Sequence, residues 1–361
     1  MNSHNMVDTS RHHNNTFPEY NGEQLLNADF KLTGKITSDI EEFLTLKLQE
    51  LNDFYTTAVR NKHLDSRHNS SVYTGTCGAV FLAQKLSASK WKHITFYQET
   101  LLECAVLRKK RFTFLCGDSG PLVLRALRCD KVQDTEGTKK NVKELLKLTS
   151  QSSEREMCNE VLYGRAGYLY ALLYAKQQIN SDLIPRTVIQ QVVNDIIGAG
   201  VDGRRRNPSS SLPLYYEWHE KEYIGAAHGY VGILYMLLQA AHLCPGVLDE
   251  TNKTIILGCL DGLLEQRFPS GNIRSSMGSQ SDRLLHWCHG APGAVHLYAL
   301  AYKLFAKPAY LDACKGFADA VWTRGLLRKG YGLCHGVAGN GYAMLCMYQL
   351  TGQEWSTCGE V

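Results

Sequence analysis

The sequence predicts an all-α protein of repeated helical pairs, closed into an α/α toroid. Two observations carry that prediction. A Gly-x-x-Gly element returns six times along the 361 residues, and a segment apolar on nearly every face follows each copy. Between these segments lie amphipathic helical stretches, and nowhere does the two-residue alternation of a strand run for any length.

The first 35 residues are polar, rich in Asn and His, and without a steady period, so they read as an N-terminal tail or entry segment. Residues 36–361 read as one toroid domain. From Asp39 to Val59 the apolar positions Ile40, Phe43, Leu44, Leu48, Leu51 and Tyr55 recur at three- and four-residue steps, which predicts an amphipathic helix. The glycine pairs follow: Gly75/Gly78, Gly117/Gly120, Gly164/Gly167, Gly229/Gly232, Gly290/Gly293 and Gly336/Gly339. Their first members stand 42, 47, 65, 61 and 46 residues apart. Buried helices such as Tyr168–Ala175 and Ile233–Ala241 follow the pairs, and amphipathic ones such as Val188–Ile197 and Tyr310–Trp322 separate them. A glycine before a helix start is expected to supply unusual torsions and a close backbone approach. Inner helices that are apolar on most faces suit a closed ring better than an open solenoid.

Composition narrows the function classes. A net charge of +4 and a pI near 8.4 fall short of the clustered basic stripe of a nucleic-acid binder, so no nucleic-acid partner is expected. Two basic runs, Arg108–Arg111 and Arg204–Arg206, read either as solvated loop charge or as contacts to an anionic membrane or partner surface. Twelve cysteines are too few for a disulfide scaffold, and the first residues lack the apolar core of a signal peptide. The longest apolar stretch, Tyr230–Cys244, is too short to span a bilayer. A reducing cytosolic compartment is expected, with peripheral plasma-membrane contact as an addition.

Aligning the repeats on their first glycine exposes the chemistry. The preceding residues are Thr74, Cys116, Tyr163, His228, His289 and His335, and one step further back stand Tyr73, Leu115, Leu162, Ala227, Cys288 and Cys334. Equivalent repeat positions should converge on one rim, so repeats four to six would gather three histidines and two cysteines there. Two thiolates and an imidazole form a borderline-soft set that suits tetrahedral zinc, with the fourth position open to water or substrate. His289 as a further ligand would close the site.

The stretches GRAGYLYALLYA, GAAHGYVG, HWCHGAPG and RKGYGLCHGVAGNGY resemble the LanC-like family, eukaryotic relatives of bacterial lanthionine cyclases, over about residues 36–352. The resemblance implies a toroid of seven helical pairs, one zinc ion on Cys288, Cys334 and His335, and His289 outside the ligand set. It also implies the reaction: a glutathione thiolate adds to dehydroalanine or dehydrobutyrine in proteins or peptides. His228 then corresponds to the catalytic histidine and general acid, Glu160 to a carboxylate that orients His228 or a water, and Lys329 to a residue that contacts glutathione. The sequence departs from the bacterial pattern at Leu284, where an arginine is usual, and the N-terminal segment lacks the arginine that reaches glutathione in a relative. After TGQEWSTCGEV no seventh glycine motif follows, so the reading includes a weakened, open-edged and weakly active chain. Two other functions compete. One is a zinc-stabilised signalling or membrane-associated scaffold, since relatives carry links to phosphoinositides and abscisic-acid signalling. The other is a prenyltransferase-like zinc toroid, which would want an aspartate ligand beside Cys288 or Cys334.

Overall fold

The computed structural model describes residues 9–15, 33–61 and 69–352, so residues 353–361 and most of the polar N-terminal segment lie outside the described residues. The chain forms two compact units, one of Phe17–Leu148 and one of Met1–Thr16 with Thr149–Val361. Among the described residues both units are helical, and pairing outside the helices is confined to isolated bridges.

The Phe17–Leu148 unit contains α1 (Gly34–Arg60), α2 (Thr76–Leu86), α3 (Gln98–Cys104), α4 (Ser119–Lys131) and α5 (Thr135–Lys147). Here α2 packs on α3 and α4, and α4 packs on α5. The helix predicted over Asp39–Val59 is α1, and only part of its apolar stripe, Leu48 and Tyr55, lies on the packed side. Leu48 is buried, the indole Nε1–H of Trp91 donates to Thr45 at 2.8 Å, and Asn52 accepts the Phe96 N–H at 3.2 Å. Ile40, Phe43, Leu44, Leu51 and Phe54 are exposed. The Arg108–Arg111 run is held from below, because the Asp118 carboxylate accepts the backbone N–H groups of Arg108 and Lys109 at 3.0 and 2.7 Å.

The second unit contains α6 (Thr149–Ser152), α7 (Arg165–Gln178), α8 (Arg186–Arg206), α9 (Tyr230–Leu243), α10 (Glu250–Leu264), α11 (Ala291–Phe305), α12 (Pro308–Arg324) and α13 (Val337–Thr351). The glycine-led helices α7, α9, α11 and α13 pack each against the next, while α8 and α12 pack on α7 and α11. The Arg204–Arg206 run forms the last turn of α8, where positive charge complements the carbonyl end of the helix. Residues 9–15 dock on this unit: His13 donates its N–H to Leu326 O at 2.8 Å, Arg328 donates to Arg11 O at 3.0 Å, and the Asn15 amide donates to Trp322 O at 3.0 Å.

The glycine pairs owe their place to close approach, and unusual torsions are not the cause. Gly75, Gly164, Gly229, Gly290 and Gly336 each precede a helix in extended conformations open to any residue, with φ between −111° and −171°. What excludes a side chain is the loop before the helix, which curls back underneath. A Cβ on the first glycine of any of the six pairs would strike the carbonyl of the residue six positions upstream, for example Tyr223 for Gly229 and Leu284 for Gly290. The second glycines of five pairs meet the same obstacle, as Gly232 does at Ala226 and Gly293 at Trp287. One local geometry therefore recurs, and it fixes where the residues just before each glycine emerge.

Candidate metal centre and its histidine–glutamate pair

Backbone hydrogen bonds carry this geometry from repeat to repeat. Val161 donates its N–H to Ala227 O at 3.1 Å, Ala227 to Cys288 O at 3.3 Å, and Cys288 to Cys334 O at 3.2 Å. The loops that precede α7, α9, α11 and α13 are thus stitched side by side, and their pre-glycine side chains are neighbours. Gly225 makes room for this, since a Cβ there would collide with Cys288 O and the His289 Cα. Two buried amides brace the strip. Asn272 accepts the Ala291 N–H at 2.8 Å and donates to Leu284 O at 3.0 Å, and Asn340 donates to Leu285 O at 3.1 Å and Gly325 O at 2.9 Å.

Among the described residues one group has the donor geometry of a metal site: Cys288, Cys334 and His335, whose ligand atoms all lie within 4.8 Å of one another. An ion would sit about 2.3 Å from each sulfur and about 2.0–2.1 Å from the imidazole, distances this spacing accommodates. No carboxylate belongs to the group, so the aspartate ligand that a prenyltransferase-like centre would want is not found there. Cys288 is buried, Cys334 is half-buried and His335 is exposed, which leaves the centre reachable from the His335 side. Without an ion the Cys288 thiol is pushed far above its ordinary pKa, first by its hydrogen bond with Cys334, then by burial and the Cys334 charge, against a smaller opposing effect of Lys329. A divalent cation reverses that balance by favouring both thiolates.

Beside this group, His228 Nδ1 lies 2.7 Å from Glu160 Oε2. Glu160 is only 2% exposed, and it is not an ordinary helix-end carboxylate. Its Oε2 accepts the Leu162 N–H at 2.9 Å and its Oε1 accepts the Tyr163 N–H. The loop that carries Glu160 is gathered by buried Arg165, which donates to Met157 O at 2.6 Å, Glu154 O at 2.7 Å and Asn159 Oδ1 at 2.8 Å. A carboxylate held by backbone donors and aimed at Nδ1 fixes the orientation of the ring.

Aromatic rings enclose the imidazole. Tyr163 and Trp218 lie parallel to His228 at centroid distances of 6.4 and 6.3 Å, and Tyr223 is tilted at 5.9 Å. Trp218 is presented by a tight turn closed onto Lys221, whose central residues His219 and Glu220 have φ of 49° and 56°. Left-handed torsions at two residues other than glycine cost on the order of 1 kcal/mol or more each. His289 lies between His228 and His286, at 6.0 and 5.9 Å, and its Nδ1 is buried with no hydrogen-bond partner among the described residues. Its pKa falls to about 4, through burial first and then the charges of His228, Lys221, Lys329 and His335. The His286 ring falls to about 3, again through burial first, followed by His289, Lys329, His335 and Arg11.

The structure therefore brings Cys288, Cys334, His335, His228, Glu160 and Lys329 to one rim, and it keeps His289 out of the metal-competent group. Sequence reasoning missed Trp218, Tyr223, Lys221 and His286, which lie in loops without periodicity. It also gave the N-terminal segment no part in the site, whereas docking of residues 9–15 brings Arg11 near enough for its charge to act on His286. Tyr163 alone carried a signal, since it shares the pre-glycine position with the three histidines.

Comparison with known proteins points the same way. The model of a family described as lanthionine synthetase C-like protein matches residues 66–360. A zebrafish (Danio rerio) protein, glutathione S-transferase LANCL1, is 34% identical over 351 residues, covering 93% of this chain and 83% of its own. The Arabidopsis thaliana LanC-like protein GCL1 is 32% identical over 306 residues, with 78% of this chain and 66% of its own covered. Among solved structures, nisin cyclase superposes with a TM-score of 0.69 at 16% identity, over 85% of this chain and 83% of that one. That likeness shows the fold: all-α, of the helical-pair toroid type.

Proposed function

Because the chain belongs to the lanthionine synthetase C-like family, we propose that it is a transferase that adds the thiol of glutathione to dehydroalanine or dehydrobutyrine residues of proteins or peptides, with one zinc ion on Cys288, Cys334 and His335. The observation that carries this reading is the juxtaposition on one rim of a soft three-ligand group and a histidine whose Nδ1 is held by a buried glutamate. The zebrafish relative, named as a glutathione S-transferase, supports the choice of thiol. Zinc, when bound, supplies a Lewis acid that keeps a thiol deprotonated at neutral pH.

The remaining chemistry falls to the chain. The thiolate sulfur forms a bond to the β-carbon of the alkene, the π pair moves to the α-carbon as an enolate, and that carbon takes up one proton. His228 delivers it from Nε2, and Glu160 holds the ring through Nδ1. Lys329, whose positive charge acts on Cys288, His286 and His289, pairs with a carboxylate of glutathione. Lys221 and Arg11 add to the positive field that favours this anion. Tyr163, Trp218 and Tyr223 wall off His228 and limit water around the enolate.

The test is direct. Zinc-loaded protein is incubated with glutathione and a peptide carrying one dehydroalanine, and the gain of one glutathione per peptide is followed by mass spectrometry. The expected result is adduct formation well above the protein-free rate and dependent on zinc. A rate equal to the protein-free reaction overturns the transferase reading and leaves a scaffold role as the alternative.

A further inference from the structure

We infer that Asp282 is a positioning residue of the metal centre: its carboxylate, held by Arg324, keys the Asn272 side-chain amide in the one orientation that clamps both ends of the loop carrying Cys288. The inference rests on the proposed metal centre and names what holds that loop in shape. Cys288 must stay within bonding reach of an ion shared with Cys334, although two thiolates repel each other. A loop clamped at both ends resists that repulsion, which is how groups outside the ligand set support a metal site.

A single side chain closes residues 284–291. Asn272 Oδ1 accepts the Ala291 N–H at 2.8 Å, at the start of α11, and its Nδ2 donates to Leu284 O at 3.0 Å. Cys288 lies between these two anchor points in the chain. Asn272 is 1% exposed, so both bonds form out of reach of bulk water, where a lost partner is costly. The two ends of an amide are alike in shape. Turned end for end, this one would present N–H groups to the Ala291 N–H and an oxygen to Leu284 O, setting like against like.

Asp282 removes that alternative. Its Oδ1 accepts from Asn272 Nδ2 at 2.7 Å, and an ionised carboxylate can only accept, so the nitrogen must face it. The carboxylate is held in turn. Ser270 Oγ donates to Oδ2 at 2.5 Å, and an Arg324 guanidinium nitrogen lies 3.3 Å from both carboxylate oxygens. Arg324 also donates to Ser270 Oγ at 3.0 Å and to Asp282 O at 3.4 Å. The side chains of Arg324 and Asp282 are 8% and 20% exposed, so each charge depends on the other. Arg324 is the last residue of α12, and through Asp282 and Asn272 the end of that helix sets the shape of the Cys288 loop. None of the three belongs to the ligand group itself.

Two readouts test this. Zinc affinity is measured by competition with a chelator, and amide hydrogen exchange over residues 284–291 is followed by mass spectrometry in metal-free protein. With Asp282→Asn either end of the Asn272 amide finds a partner, so the key is lost. That variant should bind zinc about tenfold to a hundredfold more weakly, the scale of losing a group that supports a metal ligand. Its Ala291 N–H should exchange about tenfold faster, the scale of one hydrogen bond. The core variant Leu297→Ala shows what general destabilisation does, and it should leave zinc affinity unchanged. A double-mutant cycle then asks whether Asp282 acts through Asn272: once Asn272→Ala is present, adding Asp282→Asn should cost no further affinity. Unchanged affinity or exchange in Asp282→Asn overturns the inference, as does an equal loss of affinity in Leu297→Ala or additive losses in the cycle. Should a member of the cycle fail to fold, Arg324→Lys decides, because it keeps the charge but not the fork that holds the carboxylate. Weaker zinc binding with faster Ala291 exchange supports the key, and wild-type values refute it. A wild type that binds no zinc overturns the metal reading and the role of Asp282 with it, whereas altered zinc affinity without altered exchange overturns the clamp alone.

Discussion

Repeats five and six carry the same three residues at the same place, Cys288-His289-Gly290 and Cys334-His335-Gly336, yet they do different things. In both, the glycine caps a helix over a curled-back loop, and Cys288 N–H reaches across to Cys334 O. The cysteines meet. The histidines part: His335 joins the metal-competent group from an exposed position, while His289 turns inward among His228, Tyr223 and His286. Repeat five, whose helix is α11, has neighbours on both sides, α9 and α13, and the rings of Tyr223, His228 and His286 fill the space around His289. The motif fixes where a backbone lies; the neighbouring repeat decides what its side chain can do.

The strongest way to break this comparison is to remove ligands one by one. Cys334→Ala and Cys288→Ala should each lose stoichiometric zinc by elemental analysis, because two donors do not hold the ion against competition from water and buffer. The matched pair His335→Ala and His289→Ala then tests the asymmetry. The first should weaken zinc binding by at least about a hundredfold, the upper end of effects seen when a metal site loses a supporting group, and the second should leave stoichiometry intact. Equal losses at both histidines would return His289 to the ligand set.

Activity gives the next effect. His228→Asn should retain zinc and slow thiol addition by about a hundredfold or more, as expected when a general acid is removed. Unchanged turnover at saturating glutathione takes His228 out of the mechanism. Gly225→Ala touches no ligand, but its methyl meets Cys288 O and the His289 Cα, so it should cost about 1–3 kcal/mol in chemical denaturation and weaken zinc binding as well. A normal zinc affinity in that variant would show that the strip of loops can shift without harm.

Much of this was legible in the sequence because repetition amplifies weak signals. One Gly-x-x-Gly says little, but six in phase with buried helices predicted the helical pairs, and alignment on the glycine predicted that Cys288, Cys334, His335 and His228 would share a rim. The reason for the glycines was not legible, since collision with a carbonyl six residues upstream depends on a loop shape that no periodicity encodes. Trp218 and Lys221 stayed hidden for a similar reason: a left-handed turn built on His219 and Glu220 has none of the glycine or asparagine that marks such turns. On α1 the three- and four-residue spacing located the helix but only part of its packed side: Leu48 and Tyr55 pack, Thr45 and Asn52 contact the rest of the unit through hydrogen bonds, and Phe43 and Leu51 are exposed.

The smallest expected effect sharpens the contrast between repeats five and six beyond the metal. Both α11 and α13 are apolar on most faces, so sequence alone would assign their leucines equal weight. In α11, Leu297 is fully buried, so truncation removes core packing. In α13, Leu345 is 46% exposed, as Tyr342 and Tyr348 also are in large part. Leu297→Ala should therefore destabilise by about 2–5 kcal/mol, the usual range for a core leucine that leaves a cavity. Leu345→Ala should stay within about 0.5 kcal/mol, since solvent already occupies one side and no cavity forms. Denaturant titration of the two zinc-loaded variants reads both values from midpoints at unchanged slope. A loss at Leu345 as large as that at Leu297 would mean that α13 is covered in solution, and that repeats five and six are alike in burial after all.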